Sequence, residues 1–292
     1  MSLNNKRQLM ADAKFYEAYS RFNDSTNKYE SWAESVSRVM NMHRGYLTSK
    51  GITSPILSEL MDEVEAAYAD KLILGAQRAL QFGGEQLLKH QARMYNCSAS
   101  YCDRPEFFGE AFYLMLCGCG VGFSVQSHHI RKLPKLQKRT NGTTEFIIPD
   151  SIEGWAEAVD VLFSSFLISG GKHPEYEGKK IYFNLEKIRP KGSFISGGFK
   201  APGPEGLRLA LDKIEAIIKK LLEEGRDQLK PIEAYDITMH IADAVISGGV
   251  RRSATICLFS PEDDEMMKAK TGDWYTTNAQ RGRKPYYCVP TK

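Results

Sequence analysis

From about residue 90 onward, short apolar segments alternate with amphipathic helical segments, and this order constrains the fold more than any other feature of the chain. Strands are predicted at residues 94–100, 121–125, 180–185 and 254–259. Helices are predicted at residues 105–116, 151–168, 204–224 and 231–247, and the segment 261–270 is predicted to start as a helix. Strands that alternate with helices pair in parallel because each helix returns the chain to the same end of the sheet. The sequence therefore predicts an α/β domain with a largely parallel sheet.

The first part of the chain, residues 1–85, has helical periodicity instead. Ser54 followed by Pro55 is typical of a helix start, because serine caps the first turn and proline is tolerated at the first helical position. Residues 126–150 and 170–179 are predicted to be loops or an insertion. We therefore divide the chain into an N-terminal helical region and an α/β region that begins at residue 86.

The composition is ordinary for a globular protein, and it mainly argues against a membrane, secreted or nucleic-acid-binding protein. The chain has 292 residues, enough for one large domain or two ordinary ones, and 42% of them are hydrophobic. No apolar run approaches the roughly 20 residues of a membrane span, and the first residues lack the apolar stretch of a signal peptide. These features predict a cytoplasmic protein. Nucleic acid is not an expected partner, since no basic stripe with interleaved aromatic residues accompanies the net charge of +3.

Six cysteines lie at positions 97, 102, 117, 119, 257 and 288. In the cytoplasm they would stay reduced, so a disulfide framework is not expected. A zinc site is an alternative, but the spacing of the first four is not that of the usual C-x2-C pairs. Cys102, Cys117 and Cys257 are interpreted as buried, inert thiols. His128 and His129 are adjacent on a segment predicted to be extended, so they would point in opposite directions, and no metal site is predicted there.

Three glycine-rich segments are candidates for ligand binding. Residues 118–122 (GCGVG) precede a strand, where alternating glycines allow close approach either of a ligand or of a neighbouring strand. Residues 248–252 (GGVRR) lie between a helix and a strand, and residues 189–193 (RPKGS) follow a strand. Adjacent arginines suit phosphate or base contacts, with a solvated surface turn as the alternative. Two basic, glycine-rich loops in one chain favour an anionic ligand more than either loop does alone.

Taken together and in order, these segments resemble the monomeric adenosylcobalamin-dependent (class II) ribonucleoside-triphosphate reductases. The resemblance covers roughly residues 13–283. It is carried by residues 15–21 (FYEAYSR), 30–32 (ESW), 94–98 (MYNCS), 120–125 (GVGFSV), 152–156 (IEGWA), 188–193 (IRPKGS), 201–205 (APGPE) and 249–254 (GVRRSA).

This resemblance implies the fold and the reaction. The family has an α/β barrel of ten strands, of which residues 86–283 would form the first half, with its specificity loops. The family replaces the ribose 2′-hydroxyl with hydrogen by thiyl-radical chemistry, using adenosylcobalamin, and two cysteines end as a disulfide that a thioredoxin-like protein reduces. The resemblance also implies a ribonucleoside triphosphate as substrate and a deoxynucleotide as allosteric effector. No membrane partner and no metal ligand are expected.

Individual residues are carried over from the resemblance where their motifs match. Cys97 corresponds to the first of the two reducing cysteines. Substrate contacts are implied for Asn96, Ser98, Cys119, Gly120 and Arg251. Effector contacts are implied for Asp103, Arg189, Lys191, Ser193 and Arg252.

The sequence also departs from the family pattern. The radical cysteine, its partner acid and the second reducing cysteine have no counterpart, and most cobalamin contacts would belong to the same absent half. Residues 284–292 (KPYYCVPTK) replace the expected Asn-Asn-Ser strand and are interpreted as an atypical tail. We therefore expect a split or truncated reductase that is inactive alone and needs a complementary C-terminal polypeptide. The alternatives are part of a class I catalytic subunit, or a non-catalytic nucleotide-binding or regulatory remnant.

Overall fold

A computed structural model describes residues 3–23, 25–195, 199–246, 254–282 and 287–290. The chain forms two compact units. The first ends at Asn96, and the second comprises Cys97–Ile195 and Phe199–Lys292. The division thus falls just before the residue that the resemblance singles out. No helix among the described residues is both long enough and apolar enough to cross a membrane.

The N-terminal unit is helical, with one short antiparallel ribbon. Its elements are α1 Leu3–Ala18, β1 Phe22–Asn23, β2 Lys28–Tyr29, α2 Trp32–Ser49, α3 Pro55–Ala69, α4 Gln77–Phe82, α5 Glu85–Lys89 and a 3-10 turn, Gln91–Met94. A buried cluster around Val36, Val39 and Tyr68 joins α2, α3 and the short helices. The predicted start of α3 is confirmed, because the Ser54 hydroxyl accepts the Leu57 N–H and Pro55 is the first helical residue.

The second unit alternates strands and helices as predicted. Its elements are β3 Cys97–Tyr101, α6 Phe107–Leu116, β4 Gly120–Ser124, α7 Ser127–Ile130, β5 Thr143–Ile147, α8 Ile152–Phe166, β6 Lys180–Asn184, β7 Phe194–Ile195, β8 Phe199–Lys200, α9 Glu205–Glu223, α10 Pro231–Ile246, β9 Thr255–Phe259, α11 Asp264–Met267, α12 Trp274–Thr277 and β10 Tyr287–Pro290. Two 3-10 turns, Pro174–Tyr176 and Ala279–Arg281, complete it.

The strands form small open sheets and not a closed barrel. Four parallel strands have the order β10-β9-β4-β3, while β5 and β6 form a separate parallel pair. The antiparallel hairpin β7–β8 follows β6. The predicted α/β class and parallel pairing are therefore confirmed, whereas the sheets observed do not establish a half-barrel. β10 lies inside the segment expected to be an atypical tail and extends the sheet.

Some local predictions were wrong. The region 126–150 was predicted to be loop, yet it contains α7 and β5. The helix predicted from residue 261 is a single turn, Asp264–Met267. Residue 94, predicted to start a strand, ends the 3-10 turn instead.

The four-stranded sheet has one covered face and one open face. Val121, Phe123, Thr255 and Cys257 are buried on the covered face, where the apolar sides of α6, α8, α9 and α10 supply much of the core. Within this core the ring of Phe108 stacks on that of Phe163, with centroids 4.2 Å apart. The open face is defined by alternate strand residues: Cys97, Ala99 and Tyr101 on β3, Gly120 and Gly122 on β4, and Ile256 on β9. Parallel sheets are normally covered on both faces, so the exposure of this face is unusual.

Candidate active site

Cys97 is the first residue of β3 and is exposed on the open face. Its register partner on β4 is Gly120, followed along the same face by Ala99 opposite Gly122. A Cβ at position 122 would lie 3.3 Å from the Ile256 side chain and 3.4 Å from the Ser98 carbonyl oxygen. The glycines therefore leave no side chain on this part of β4 next to the thiol, and at Gly122 the neighbouring strands pack closely.

The side chains of Ser98 and Cys119 do not reach this open face. The Ser98 hydroxyl donates to the carbonyl oxygen of Gly120 at 3.1 Å. The Cys119 thiol is fully buried and lies 3.5 Å from the same oxygen. Both side chains stabilise the turn into β4, so a substrate contact at either residue would use its backbone.

Asn96, the last residue of the N-terminal unit, is exposed and held by an arginine. The Nε of Arg78 donates to its Oδ1 at 2.7 Å. Arg78 lies in α4, and its guanidinium group stands 5.8 Å from the ring centroid of Phe82. Sequence reasoning did not find Arg78, because it is distant along the chain and belongs to no motif.

Asp103 lies just beyond the carboxyl end of β3 in a charged cluster. One carboxylate oxygen is 3.1 Å from Arg104 Nη1, and the other is 3.7 Å from Lys132 Nζ. Arg104 also pairs with Glu110. The negative charge of Asp103 is therefore largely balanced by these two cations. Its second oxygen is too far from Lys132 for a hydrogen bond and could accept one from a ligand.

Beside this cluster, His129 packs against Tyr101 with ring centroids 4.7 Å apart, and its Nδ1 is 2.9 Å from the Ser124 hydroxyl. Burial lowers the pKa of His129, and the neighbouring His128 lowers it further. The prediction of an extended histidine pair was wrong, since both lie in the short helix α7 with their ring centroids 3.9 Å apart. Across the described residues there is no group of three His, Cys, Asp or Glu side chains that could hold a metal ion.

The loop predicted to bind effector phosphates, residues 189–193, leads into the β7–β8 hairpin and forms its base. Arg189 donates from Nε to Asp150 at 2.5 Å, and the Ser193 hydroxyl donates to the Pro190 carbonyl at 2.9 Å. Gly203 adopts a φ of 76°, and a Cβ there would lie 2.9 Å from the Lys191 amide nitrogen. Lys191 itself is exposed. No hydrogen bond or ion pair links this hairpin to Asp103 in the part of the chain that the structure describes. Arg251 and Arg252 lie outside the described residues.

The cysteines differ sharply in accessibility. Cys102, Cys117, Cys119 and Cys257 are buried, whereas Cys97 is exposed. Burial, the main cause, together with the nearby Asp103, raises the pKa of Cys102 well above its ordinary value, so this thiol stays protonated. The interpretation of Cys102, Cys117 and Cys257 as buried thiols is thus confirmed. Among the cysteines whose side chains are described, only Cys97 can meet a ligand or a second thiol.

Comparison with known proteins gives a consistent result. No family model matches the chain. An adenosylcobalamin-dependent ribonucleoside-triphosphate reductase of Lactobacillus gasseri is 26% identical over 323 residues, covering 88% of this chain and 42% of that protein. The enzymes with the same name from Lactobacillus leichmannii and Levilactobacillus brevis are 26% and 24% identical, with the same two coverages. A crystal structure of a B12-dependent (class II) ribonucleotide reductase superposes with a TM-score of 0.77 at 21% identity, covering 94% of this chain and 45% of that one.

The resemblance predicted from the motifs is confirmed by these comparisons. The chain spans less than half the length of the relatives that it matches. The structural likeness, at this level of identity, shows a shared fold.

Proposed function

We propose that this chain is the N-terminal portion of an adenosylcobalamin-dependent ribonucleoside-triphosphate reductase and acts with a complementary C-terminal polypeptide. The observation that carries the proposal is the placement of Cys97. It is the exposed thiol on a parallel strand, and the glycines of β4 lie beside it. The similarity to reductases over 88% of the chain supports the same reading.

Cys97 would act as one of two reducing thiols. In the overall reaction the ribonucleotide loses its 2′-hydroxyl as water and gains hydrogen at that carbon. Two thiols give up two protons and two electrons and become a disulfide, which a dithiol protein then reduces by exchange. Because the other described cysteines are buried, the second thiol must come from outside the described residues. We assign it to the complementary polypeptide.

The described side chains of the open face include no group that is specific for adenosylcobalamin. The open face offers a thiol, a methyl group, glycine backbone, a phenol and an isoleucine, and no imidazole that could ligate cobalt. We therefore place the cofactor, which supplies the radical, and most of its binding residues in the complementary polypeptide.

Two finer assignments belong to the same proposal. The sheet β10-β9-β4-β3 would be part of the first half of the family's barrel, and the complementary polypeptide would cover its open face. A deoxynucleotide effector would bind near Asp103 and the hairpin base, through Arg189, Lys191, Ser193 and Arg252, and Arg251 would face the substrate base. The second oxygen of Asp103, 3.7 Å from Lys132 Nζ, is a suitable acceptor for a ribose hydroxyl.

Reconstitution tests the proposal. The chain is mixed with the product of the reading frame that encodes the C-terminal half of the reductase, together with adenosylcobalamin, a ribonucleoside triphosphate and a dithiol. We expect deoxynucleotide formation from the mixture and none from the chain alone. Cys97→Ser should abolish multiple turnover without unfolding the chain. Nucleotide binding without turnover in the mixture would favour a regulatory remnant, and full turnover by Cys97→Ser would remove its assigned role.

A further inference from the structure

Arg78 determines which way the side-chain amide of Asn96 is turned. The arginine Nε lies 2.7 Å from Asn96 Oδ1, and both residues belong to the N-terminal unit. A guanidinium group carries donors and no acceptor, so the amide atom that faces it has to be the oxygen. The orientation of the amide therefore follows from chemistry as well as from the coordinates.

Arg78 engages one lone pair of the Asn96 oxygen, so the NH2 group is turned away from the guanidinium. The Asn96 Nδ2 carries two N–H groups and makes no hydrogen bond with any described residue, and the side chain is exposed. The stem of Arg78 is itself fixed, because α4 carries it and the guanidinium packs over Phe82. A fixed pair of donors next to Cys97 in the chain is suited to a ligand that offers acceptor oxygens.

We propose that Arg78 is a positioning residue for the substrate. It holds Asn96 so that the NH2 group donates to an oxygen of the ribonucleotide, in the ribose or the phosphate. This inference rests on the proposed function, in which Asn96 contacts substrate. The alternative is a purely structural role, in which Arg78 only ties α4 to the chain before β3. Its loss would then lower stability and leave substrate affinity unchanged.

The chemistry gives distinct expectations for three variants. Arg78→Met keeps the apolar stem over Phe82 but frees the Asn96 amide to rotate, so KM for the ribonucleotide should rise about tenfold. Asn96→Ala removes the donors and should raise KM by a similar factor. Arg78→Lys retains a donor and should restore part of the affinity. Because Arg78 acts through Asn96, Arg78→Met should have little further effect in the Asn96→Ala background.

The experiment measures KM and kcat for CTP in the mixture reconstituted with the complementary polypeptide, with urea unfolding of each variant as the control for folding. An increase in KM that is rescued by Arg78→Lys and vanishes in the Asn96→Ala background supports the inference. Unchanged KM in Arg78→Met, or equal effects with and without Asn96, overturns it while leaving the proposed function intact. A wild-type mixture that makes no deoxynucleotide overturns the proposed function, and the inference with it.

Discussion

The exposure of Cys97 is the residue-level property on which the chemistry depends. A thiol can exchange hydrogen or form a disulfide only where another group can reach it. Strand alternation places Cys97 on the open face, while Val121 and Phe123 on the neighbouring strand point into the core. The resemblance identified Cys97, but spacing alone did not separate it from the five other cysteines.

Alkylation rates test this difference in accessibility. We expect iodoacetamide to modify Cys97 of the native chain well before Cys102, Cys117, Cys119 and Cys257, because these four thiols are buried. Mass spectrometry of peptides after timed labelling gives the order of modification. Urea is the control, since unfolding should make the rates similar. Early labelling of Cys119 in native protein would show that the turn before β4 opens.

A second residue, Asp160 in α8, is a buried acid outside the candidate site. Its side chain is 4% exposed and receives a hydrogen bond from Lys172 Nζ at 2.7 Å, while its Oδ1 has no partner. Burial raises the pKa of Asp160, and Lys172 opposes part of this rise. The charged carboxylate is thus less favourable in the folded chain than in the unfolded one.

This raised pKa predicts a pH dependence with a definite sign. An acid whose pKa is higher in the folded state lowers stability while it is charged, and the folded state regains that stability as pH falls through the raised pKa toward the unfolded value. Asp160→Asn removes the titration. The stability of the variant relative to wild type should therefore be more favourable at neutral pH than at about pH 4, near the ordinary pKa of aspartate. Urea unfolding of both proteins at the two pH values checks this, and a pH-independent difference would contradict it.

At the scale of elements, α6 and α8 approach closely because Gly109 has no side chain. A Cβ at this position would overlap the Asp160 carboxylate. Gly109 is the third residue of α6 and is buried. Its presence is therefore explained by the packing of α8.

Gly109→Ala should destabilise the chain by about 1–3 kcal/mol, the usual cost of overpacking. The matched control is Gly45→Ala in α2, where an added Cβ meets no atom within 4 Å. That variant should gain about 0.5–1 kcal/mol from helix propensity. Free energies of unfolding from urea titration distinguish the two. In an Asp160→Ala background the cost of Gly109→Ala should shrink, and an undiminished cost would exclude the carboxylate as its cause.

The elements show what a sequence can and cannot predict. The strands at β3, β4, β6 and β9 and the long helices α8, α9 and α10 were predicted because their apolar residues recur with a clear period. β5 was missed because its residues are alternately exposed and half-buried, which leaves a weak apolar signal in TTEFI. The Arg78–Asn96 pair could not be predicted, since it joins two segments that only the tertiary fold brings together. The open face likewise required strand order and register.

At the scale of the whole molecule, one face of the four-stranded sheet is open among the described residues. Tyr101 is 57% exposed and Ile256 is 39% exposed on a parallel sheet, a type of sheet that proteins normally bury on both sides. The relatives are more than twice as long as the aligned part, so they contain enough additional chain to cover this face. The same covering would bring a second thiol toward Cys97 in the proposed enzyme.

Ile256→Lys therefore tests the assembly. The side chain is already partly exposed, so the chain alone should fold with little change in its unfolding free energy. Covering the face would bury an unpaired ammonium group, which is costly, and the Kd for the complementary polypeptide should rise by at least about tenfold. Leu209→Lys on α9 is the matched control, because Leu209 is 45% exposed but lies on a helix and not on the open face. Association measured by calorimetry should be weakened by the first substitution and not by the second. Equal affinity for both variants would mean that the complementary polypeptide binds elsewhere and that the open face has another role.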